Sequence, residues 1–192
     1  MHSSPCQDTG YSAKRVHKMP RHYYLLDTNM LGYLAEVKSG AHSPEAMALQ
    51  NRLDEIKSEN VFICCITIGE IEYGLNIAPD KDSAKQDLAR QMIEEFYSYY
   101  IDNDVAREQY ATLRAKLFRR YAPKDKHHRN NDKKRVEEWI DPTTSKELQV
   151  QENDIWIAAV AMAYNLVLVT HDKMHAIKSV VGDDLTIVDW AK

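Results

Sequence analysis

The chain has 192 residues, of which 44% are hydrophobic and 28% charged, and its formal net charge is −4. This length suits one globular domain with a sizeable core, and no apolar run approaches the ~18–20 residues that a membrane span requires. The three cysteines do not form a disulfide framework and the N-terminus lacks the apolar segment of a secretory signal, so we expect a cytoplasmic protein.

Strands alternate with helices along the chain. We expect residues 1–20 to form a flexible leader and residues 21–192 to form the domain. Short apolar or aromatic runs predict strands at residues 23–26, 61–66, 99–102, 166–170 and 185–189. Capping residues and helical periodicity predict helices at residues 28–40, 43–58, 67–78, 82–99, 105–121, 153–165 and 171–180. This alternation predicts an α/β fold with a parallel central sheet and helices on both of its faces.

A long polar segment at about residues 122–150 interrupts the alternation. From Arg114 to Arg135 there are ten Lys or Arg and two Asp or Glu, a local charge of +8, so the remainder of the chain carries −12. Such a segment can bind a polyanion, or it can be a solvated loop without a partner. We expect its hydrophobic anchors to be Val136, Trp139 and Ile140, and we expect Trp139 to anchor the segment rather than to stack on a base.

Four acidic residues follow predicted strands or open predicted helices. Asp27 ends the first strand, and Glu70 lies in the first turn of the helix after the second strand. Asp154 opens the helix at 153–165, and Asp172 follows the strand at 166–170. Because the carboxyl ends of parallel strands and the N-termini of the following helices share one edge of a sheet, we expect these carboxylates to converge there.

Three of these acids also have a purely structural explanation at a helix start. Glu70 lies three residues after Thr67, which fits a capping box. Asp154 fits a first-turn acid that follows an Asn153 cap, and Asp172 could cap its own helix.

Asp27 is harder to explain as a cap, because Thr28 or Asn29 could cap the next helix without it. Two carboxylates about 5 Å apart repel by roughly 3 kcal/mol at an effective dielectric near 20, so a cluster of four takes up protons or a cation. Hard carboxylate oxygens select Mg²⁺ or Mn²⁺, and acid-only sites of this kind suit phosphodiester hydrolysis.

Four segments, YYLLDTNML, TIGEIEYGL, ENDIWIAAVAMAYNLVLVTHD and TIVDW, occur in this order. Together they resemble the PIN-domain ribonucleases, and more narrowly the VapC-type toxins of type II toxin–antitoxin systems. The resemblance covers roughly residues 20–190, apart from the basic insertion. It implies a Rossmann-like, three-layer α/β sandwich and an endoribonuclease that depends on Mg²⁺ or Mn²⁺. It also implies a homodimer, an RNA substrate and inhibition by a cognate antitoxin.

The resemblance also assigns roles to particular residues. The implied catalytic and metal-binding quartet is Asp27, Glu70, Asp154 and Asp172, with support from Thr28, Asn29 and Thr170. Asp27 and Asp154 are expected to bind the main metal, Glu70 to bind it or orient a water, and Asp172 to complete this site or a weaker second one. The candidate RNA contacts in the basic segment are Arg119, Arg120, Lys124, Lys126, Arg129, Lys133, Lys134 and Arg135.

Other functions stay open at this point. The segment LLDTN is also similar to phosphotransferases that form an aspartyl-phosphate, although Asn29 stands where haloacid-dehalogenase-like enzymes have a second Asp. A PIN-like module that binds RNA or protein without cleaving it is a further alternative. His171 and His175 are four residues apart and could form a metal pair, but no third soft ligand accompanies them.

Overall fold

A computed structural model of the chain describes residues 23–56, 58–78, 83–131 and 133–192. Five strands form one sheet: β1 (Tyr24–Leu26), β2 (Val61–Cys64), β3 (Tyr97–Tyr99), β4 (Val167–Val169) and β5 (Ile187–Val188). Their order is β3-β2-β1-β4-β5, and every neighbouring pair is parallel. The predicted α/β fold is therefore confirmed, whereas the predicted leader lies outside the described residues.

Helices connect and cover these strands. They are α1 (Thr28–Lys38), α2 (Pro44–Asp54), α3 (Cys65–Ile77), α4 (Ser83–Glu94), α5 (Ala111–Tyr121), α6 (Glu152–Ala163) and α7 (His175–Val181), and a π-helical turn at Asp104–Tyr110 leads into α5. The predicted start of α2 is confirmed, because the Ser43 hydroxyl accepts a hydrogen bond from the Ala46 N–H and Pro44 occupies the first turn. No helix of the described residues is long and apolar enough to span a bilayer.

Successive strand residues point to opposite faces of the sheet, and both faces are covered. Leu25 and Leu168 belong to one apolar cluster, which includes residues of α5, α6 and α7. Leu26 and Val169 belong to a second cluster, which includes residues of α1, α2 and α4. Because the inner strands β1, β2 and β4 are covered on both faces, their sequences are continuously apolar, as expected for a parallel sheet.

Several predicted boundaries are wrong. The third strand is β3 rather than residues 99–102, and the preceding helix ends at Glu94 instead of residue 99. β3 is an edge strand that pairs only with β2, and the aromatic residues around it continue the apolar spacing of α4, which hides the boundary in the sequence. In addition, α3 begins at Cys65, directly after β2, and α7 begins at His175.

The basic insertion is packed against the domain through Trp139. Its side chain is fully buried, and its indole N–H donates a 3.0 Å hydrogen bond to the Lys134 carbonyl. The Arg114 guanidinium of α5 lies 4.6 Å from the centre of the Trp139 ring. The anchoring role predicted for Trp139 is therefore confirmed, whereas Ile140 is 51% exposed and does not anchor the segment. Leu148 contributes instead, since it is buried in the same cluster.

Candidate active site at the carboxyl edge of the sheet

The candidate site lies where the chain leaves the two central strands, β1 and β4, in opposite directions. Asp27 follows β1 directly and Thr170 follows β4 directly, and the Asp27 N–H donates a 2.9 Å hydrogen bond to the carbonyl of Val169. Asp27 is only 3% exposed and Thr170 only 1%. This is the topological switch point of an open parallel sheet, the place where such folds form their binding crevice.

Asp27 is held by three hydrogen bonds. Its Oδ1 accepts from the Thr28 N–H at 2.7 Å, and its Oδ2 accepts from the Thr170 hydroxyl at 2.6 Å and from the Asn29 amide at 3.3 Å. Asp27 is therefore the N-cap of α1. Thr28 or Asn29 could have capped this helix without Asp27, but their side chains bond to other acids of the site.

Asn29 connects the first acid to the last. Its amide nitrogen lies 3.1 Å from the Thr170 hydroxyl and 3.0 Å from the Asp172 carboxylate, to which it donates. Its amide oxygen accepts from the His171 N–H at 3.2 Å, and the Asp172 N–H donates to the Thr170 hydroxyl at 3.0 Å. Asp172 does not cap α7, which begins three residues later, so the capping explanation for this residue is wrong.

Glu70 reaches across the site from α3. One of its carboxylate oxygens accepts from the Thr28 hydroxyl, and the other accepts from the Asn153 amide at 2.9 Å. The capping box with Thr67 is wrong, because the N-cap of α3 is Cys64 and no side chain caps it. Asn153 is a site residue that sequence reasoning treated only as a cap; its position beside Asp154 was the available signal.

Asp154 lies in the first turn of α6. Its Oδ2 accepts from the N–H of Gln151, the N-cap, at 2.7 Å, so the predicted Asn153 cap is wrong by two residues. Its second oxygen accepts no hydrogen bond from the described residues, and the same holds for one oxygen of Asp172. These two oxygens are therefore available to a ligand.

Burial and mutual repulsion disturb the protonation of the acids. Burial raises the pKa of Asp27 to about 6, although hydrogen bonds from Thr170 and Thr28 oppose the rise. Burial, with a smaller contribution from the charges of the other three acids, raises the pKa of Asp154 to about 7, although the hydrogen bond from the Gln151 N–H opposes the rise. Because each of these two carboxyl groups experiences the charges of Glu70 and Asp172, the four acids share one electrostatic environment.

This donor set fits a hard divalent cation. The four acids offer carboxylate oxygens as metal ligands, and within the described residues none of them forms an ion pair with Lys or Arg. As the side chains stand, no group of three or more His, Cys, Asp or Glu in the described part of the chain is arranged to hold a metal ion. His171 lies 3.2 Å from Asp189 rather than in a pair with His175.

The eight candidate RNA contacts are all solvent-exposed. Arg129 pairs with Asp125 at 3.2 Å, and the Arg120 guanidinium donates to the Ser179 carbonyl at 3.2 Å. Their exposure leaves them accessible to a polyanion, and their roles stay predictions.

The PIN domain family matches residues 24–180 of the chain. Three solved structures cover 88% of this chain with a TM-score of 0.58: FitAB bound to an IR36 DNA fragment, VapBC2 from Rickettsia felis bound to a promoter DNA fragment, and DNA-bound VapBC from Salmonella typhimurium. In the same order, they are 20%, 19% and 19% identical to this chain, and the matches cover 96%, 98% and 98% of their own chains. At these identities the similarity shows a shared fold. No curated protein matches the chain. Because the family match spans most of the sequence, the chain belongs to the PIN domain family, as its sequence resemblance predicted.

Proposed function

We propose that the protein is an endoribonuclease that depends on Mg²⁺ or Mn²⁺. The observation that carries this proposal is the raised pKa of two carboxyl groups, about 6 for the buried Asp27 and about 7 for the half-buried Asp154, beside two further acids. Excess negative charge without a paired Lys or Arg favours a divalent cation, and a phosphodiester substrate supplies further oxygen ligands.

The contacts of each site residue suggest its role in the reaction. Asp27 and Asp154 would hold the main cation, and Asp172 would complete this site or a weaker second one. A bound cation lowers the pKa of a coordinated water and offsets charge on the phosphate and on the leaving oxygen. Glu70 is fixed through both of its oxygens, so its role would be to orient a water or a ligand rather than to move. Thr170 donates a hydrogen bond to Asp27 and Asn29 donates one to Asp172, so these two residues fix the positions of the two carboxylates.

The proposal extends to biological role. The similar structures are described as VapBC and FitAB assemblies, which supports a toxin that is inhibited by a cognate antitoxin protein. We further propose a cytoplasmic homodimer that acts on tRNA or another structured RNA. Expression of the chain should arrest growth, and co-expression of a short neighbouring gene should relieve the arrest; growth that continues unchanged would contradict the toxin role.

The direct test of the activity compares the wild-type protein with Asp27→Asn on RNA in Mg²⁺, in Mn²⁺ and in EDTA. The wild-type protein should cleave RNA internally only with metal, and Asp27→Asn should be slower by about 10²–10³-fold, as for the loss of one electrostatic group of an active site. Asp104→Asn is the matched control, because Asp104 is exposed and lies outside the site.

Either of two other results would contradict the proposal and support a different function. Transfer of phosphate from a donor to Asp27 would indicate a phosphotransferase. Retention of intact RNA in a stable complex under every metal would indicate a module that binds without cleaving.

A further inference from the structure

Two adjoining cavities extend the acidic site along the inner wall of the basic insertion. We propose that together they form a groove for the phosphodiester backbone of single-stranded RNA beside the scissile bond. This inference rests on the proposed ribonuclease function and names the path that the substrate takes. The groove is defined by Lys146, Gln149, Lys173, His175 and Arg120.

The first cavity has a volume of about 580 Å³ and contains two of the four acids, Asp154 and Asp172, in its lining. One wall comes from the insertion, through Leu148 and its neighbours, and the other from the segment that leads into α7. The second cavity, of about 850 Å³, shares Leu148, Gln149, Lys173 and His175 with the first. A ligand that enters the first cavity can therefore continue into the second.

Charge changes sign along the groove. At the end with the acids, Lys173 faces Asp154, Asp172 and Glu137, so this end is negative. The second cavity adds the cationic Arg120 and Lys146, together with two acids of the insertion, Asp141 and Glu147.

Two cations of the second cavity, Lys146 and Lys173, are available to a ligand. One Asp141 oxygen already accepts hydrogen bonds from the Thr143 and Thr144 N–H groups, at 2.7 and 3.4 Å. The side chains of Lys146 and Lys173 form no ion pair with any residue that the structure describes. A backbone phosphate can thus meet free ammonium groups beyond the negative end, which is the pattern of a channel for a single strand.

The walls of the groove contain unusual backbone. Gln149 has φ of 52° and Met174 has φ of 44°, the left-handed region that residues with a Cβ seldom adopt. Packing holds both in place, since Leu148, Val150 and Met174 are all at least 90% buried. Strained backbone that is fixed by packing is common at binding sites, and here it builds a groove that exists before the ligand arrives.

This path differs from the one that the sequence suggested. Of the eight candidate RNA contacts, only Arg120 lines either cavity, whereas Lys146 and Lys173 lie outside the run of concentrated charge. Charge density along the chain identifies a basic segment. It does not identify which cations face the acids.

The test measures binding of a 12-nucleotide single-stranded RNA by fluorescence anisotropy in EDTA, so that binding is read without cleavage. The variant K146E/K173E reverses two charges of the groove, and the matched control R52E/R107E reverses two exposed charges that line neither cavity. A third variant, K126E/K133E, reverses two charges of the predicted basic segment. Unfolding temperatures of all variants and of the neutral pair K146Q/K173Q show whether each protein is folded.

We expect K146E/K173E to weaken binding at least about tenfold and to reduce the slope of log affinity against log salt by about 1.4, the value for two phosphate contacts on a single strand. R52E/R107E should bind as the wild-type protein does, and K126E/K133E should lose less than the groove variant. If folded K146E/K173E binds RNA with wild-type affinity, or if K126E/K133E loses more affinity than K146E/K173E does, the proposed groove is contradicted.

These outcomes are separable from those of the proposed function. If the wild-type protein cleaves RNA but K146E/K173E binds normally, the groove is wrong and the nuclease stands. If the wild-type protein never cleaves RNA but K146E/K173E alone loses affinity, the groove stands as a binding site and the nuclease is wrong.

Discussion

Asp27 combines two demands that favour opposite protonation states. As the N-cap of α1 it accepts hydrogen bonds that favour the carboxylate, while its burial favours the protonated acid. Burial prevails, because the pKa rises from an ordinary value of 3.8 to about 6. At neutral pH the metal-free protein therefore holds a charge that destabilises the fold and that a cation would relieve.

This conflict predicts that stability depends on pH in a defined direction. Because the folded pKa is the higher one, the contribution of Asp27 to stability is fully present below pH 3.8 and is lost as pH rises through about 6. The loss is on the order of 3 kcal/mol, the equivalent of a shift of about two pKa units. Urea unfolding in EDTA at pH 4 and pH 8 should show this loss in the wild-type protein and a smaller one in Asp27→Asn. An equal loss in both proteins would contradict the account, and Asp104→Asn should behave as the wild type does.

Thr170 limits the rise of that pKa. Its buried hydroxyl donates the 2.6 Å hydrogen bond to the Asp27 carboxylate, which lowers the pKa of this carboxyl group. Thr170→Val should therefore move the pKa of Asp27 above 6, as measured by NMR titration of the carboxyl carbon in the metal-free protein. Thr170→Ser keeps the hydroxyl and should retain the wild-type pKa. A pKa that is the same in the Val and Ser variants would show that this hydrogen bond has no such effect.

At the scale of elements, the insertion supports the helix that carries Asp154. A Glu137 oxygen accepts from the N–H of Glu152, the first residue of α6, at 3.1 Å. The Glu152 carboxylate in turn accepts from the Tyr110 hydroxyl and, at 3.2 Å, from Arg114. The start of α6 is thus held between the insertion and α5.

Trp139 is a large, fully buried side chain of the insertion and packs it against the domain. Trp139→Ala should lower the free energy of unfolding by about 3–5 kcal/mol, the usual cost of truncating a buried aromatic residue. Ile140→Ala is the matched control from the adjacent position, and it should cost much less because Ile140 is 51% exposed. Denaturant unfolding measures both, and similar losses in the two variants would contradict the anchoring role.

Elements differ in how far the sequence predicts them. The apolar strands and the acids behind them were predictable, because a parallel sheet leaves a strong pattern and Asp27 or Asp172 follows a strand directly. The alternative explanation of Glu70 and Asp172 as helix caps was wrong, because their partners lie far away in the sequence: Thr28, Asn153 and Asn29. Local spacing carries no information about such contacts. For the same reason the groove beside the insertion was not predictable from charge density.

At the scale of the whole molecule, the strand order brings distant parts of the sequence together at the site. β1 and β4 are neighbours although about 140 residues separate them, and Asp27 and Asp172 follow these strands. Glu70 and Asp154 come from helices that begin at the same edge. Four acids from across the domain thereby lie near one edge of the sheet, and their mutual repulsion lowers the stability of the metal-free fold.

Cation binding should therefore stabilise the whole domain and release protons. Near pH 7 part of the Asp154 population is protonated, because its pKa is about 7, and a cation must displace those protons. Calorimetric titration with Mn²⁺ in two buffers of different ionisation enthalpy measures the protons released. We expect more release at pH 6.5 than at pH 8.5, and equal release at both values would contradict the raised pKa.

The central claim is that Asp27, Glu70, Asp154 and Asp172 form one cation site. The most direct measurement is the unfolding free energy of the wild-type protein and of D27N/D154N at pH 7.5 as Mn²⁺ is raised. Binding to one folded-state site predicts that the unfolding free energy rises by about 2.7 kcal/mol when Mn²⁺ reaches 100 times its dissociation constant and then continues to rise with the logarithm of the Mn²⁺ concentration. D27N/D154N should show no such rise. A wild-type protein that Mn²⁺ does not stabilise, or a double variant that it stabilises equally, would contradict the claim.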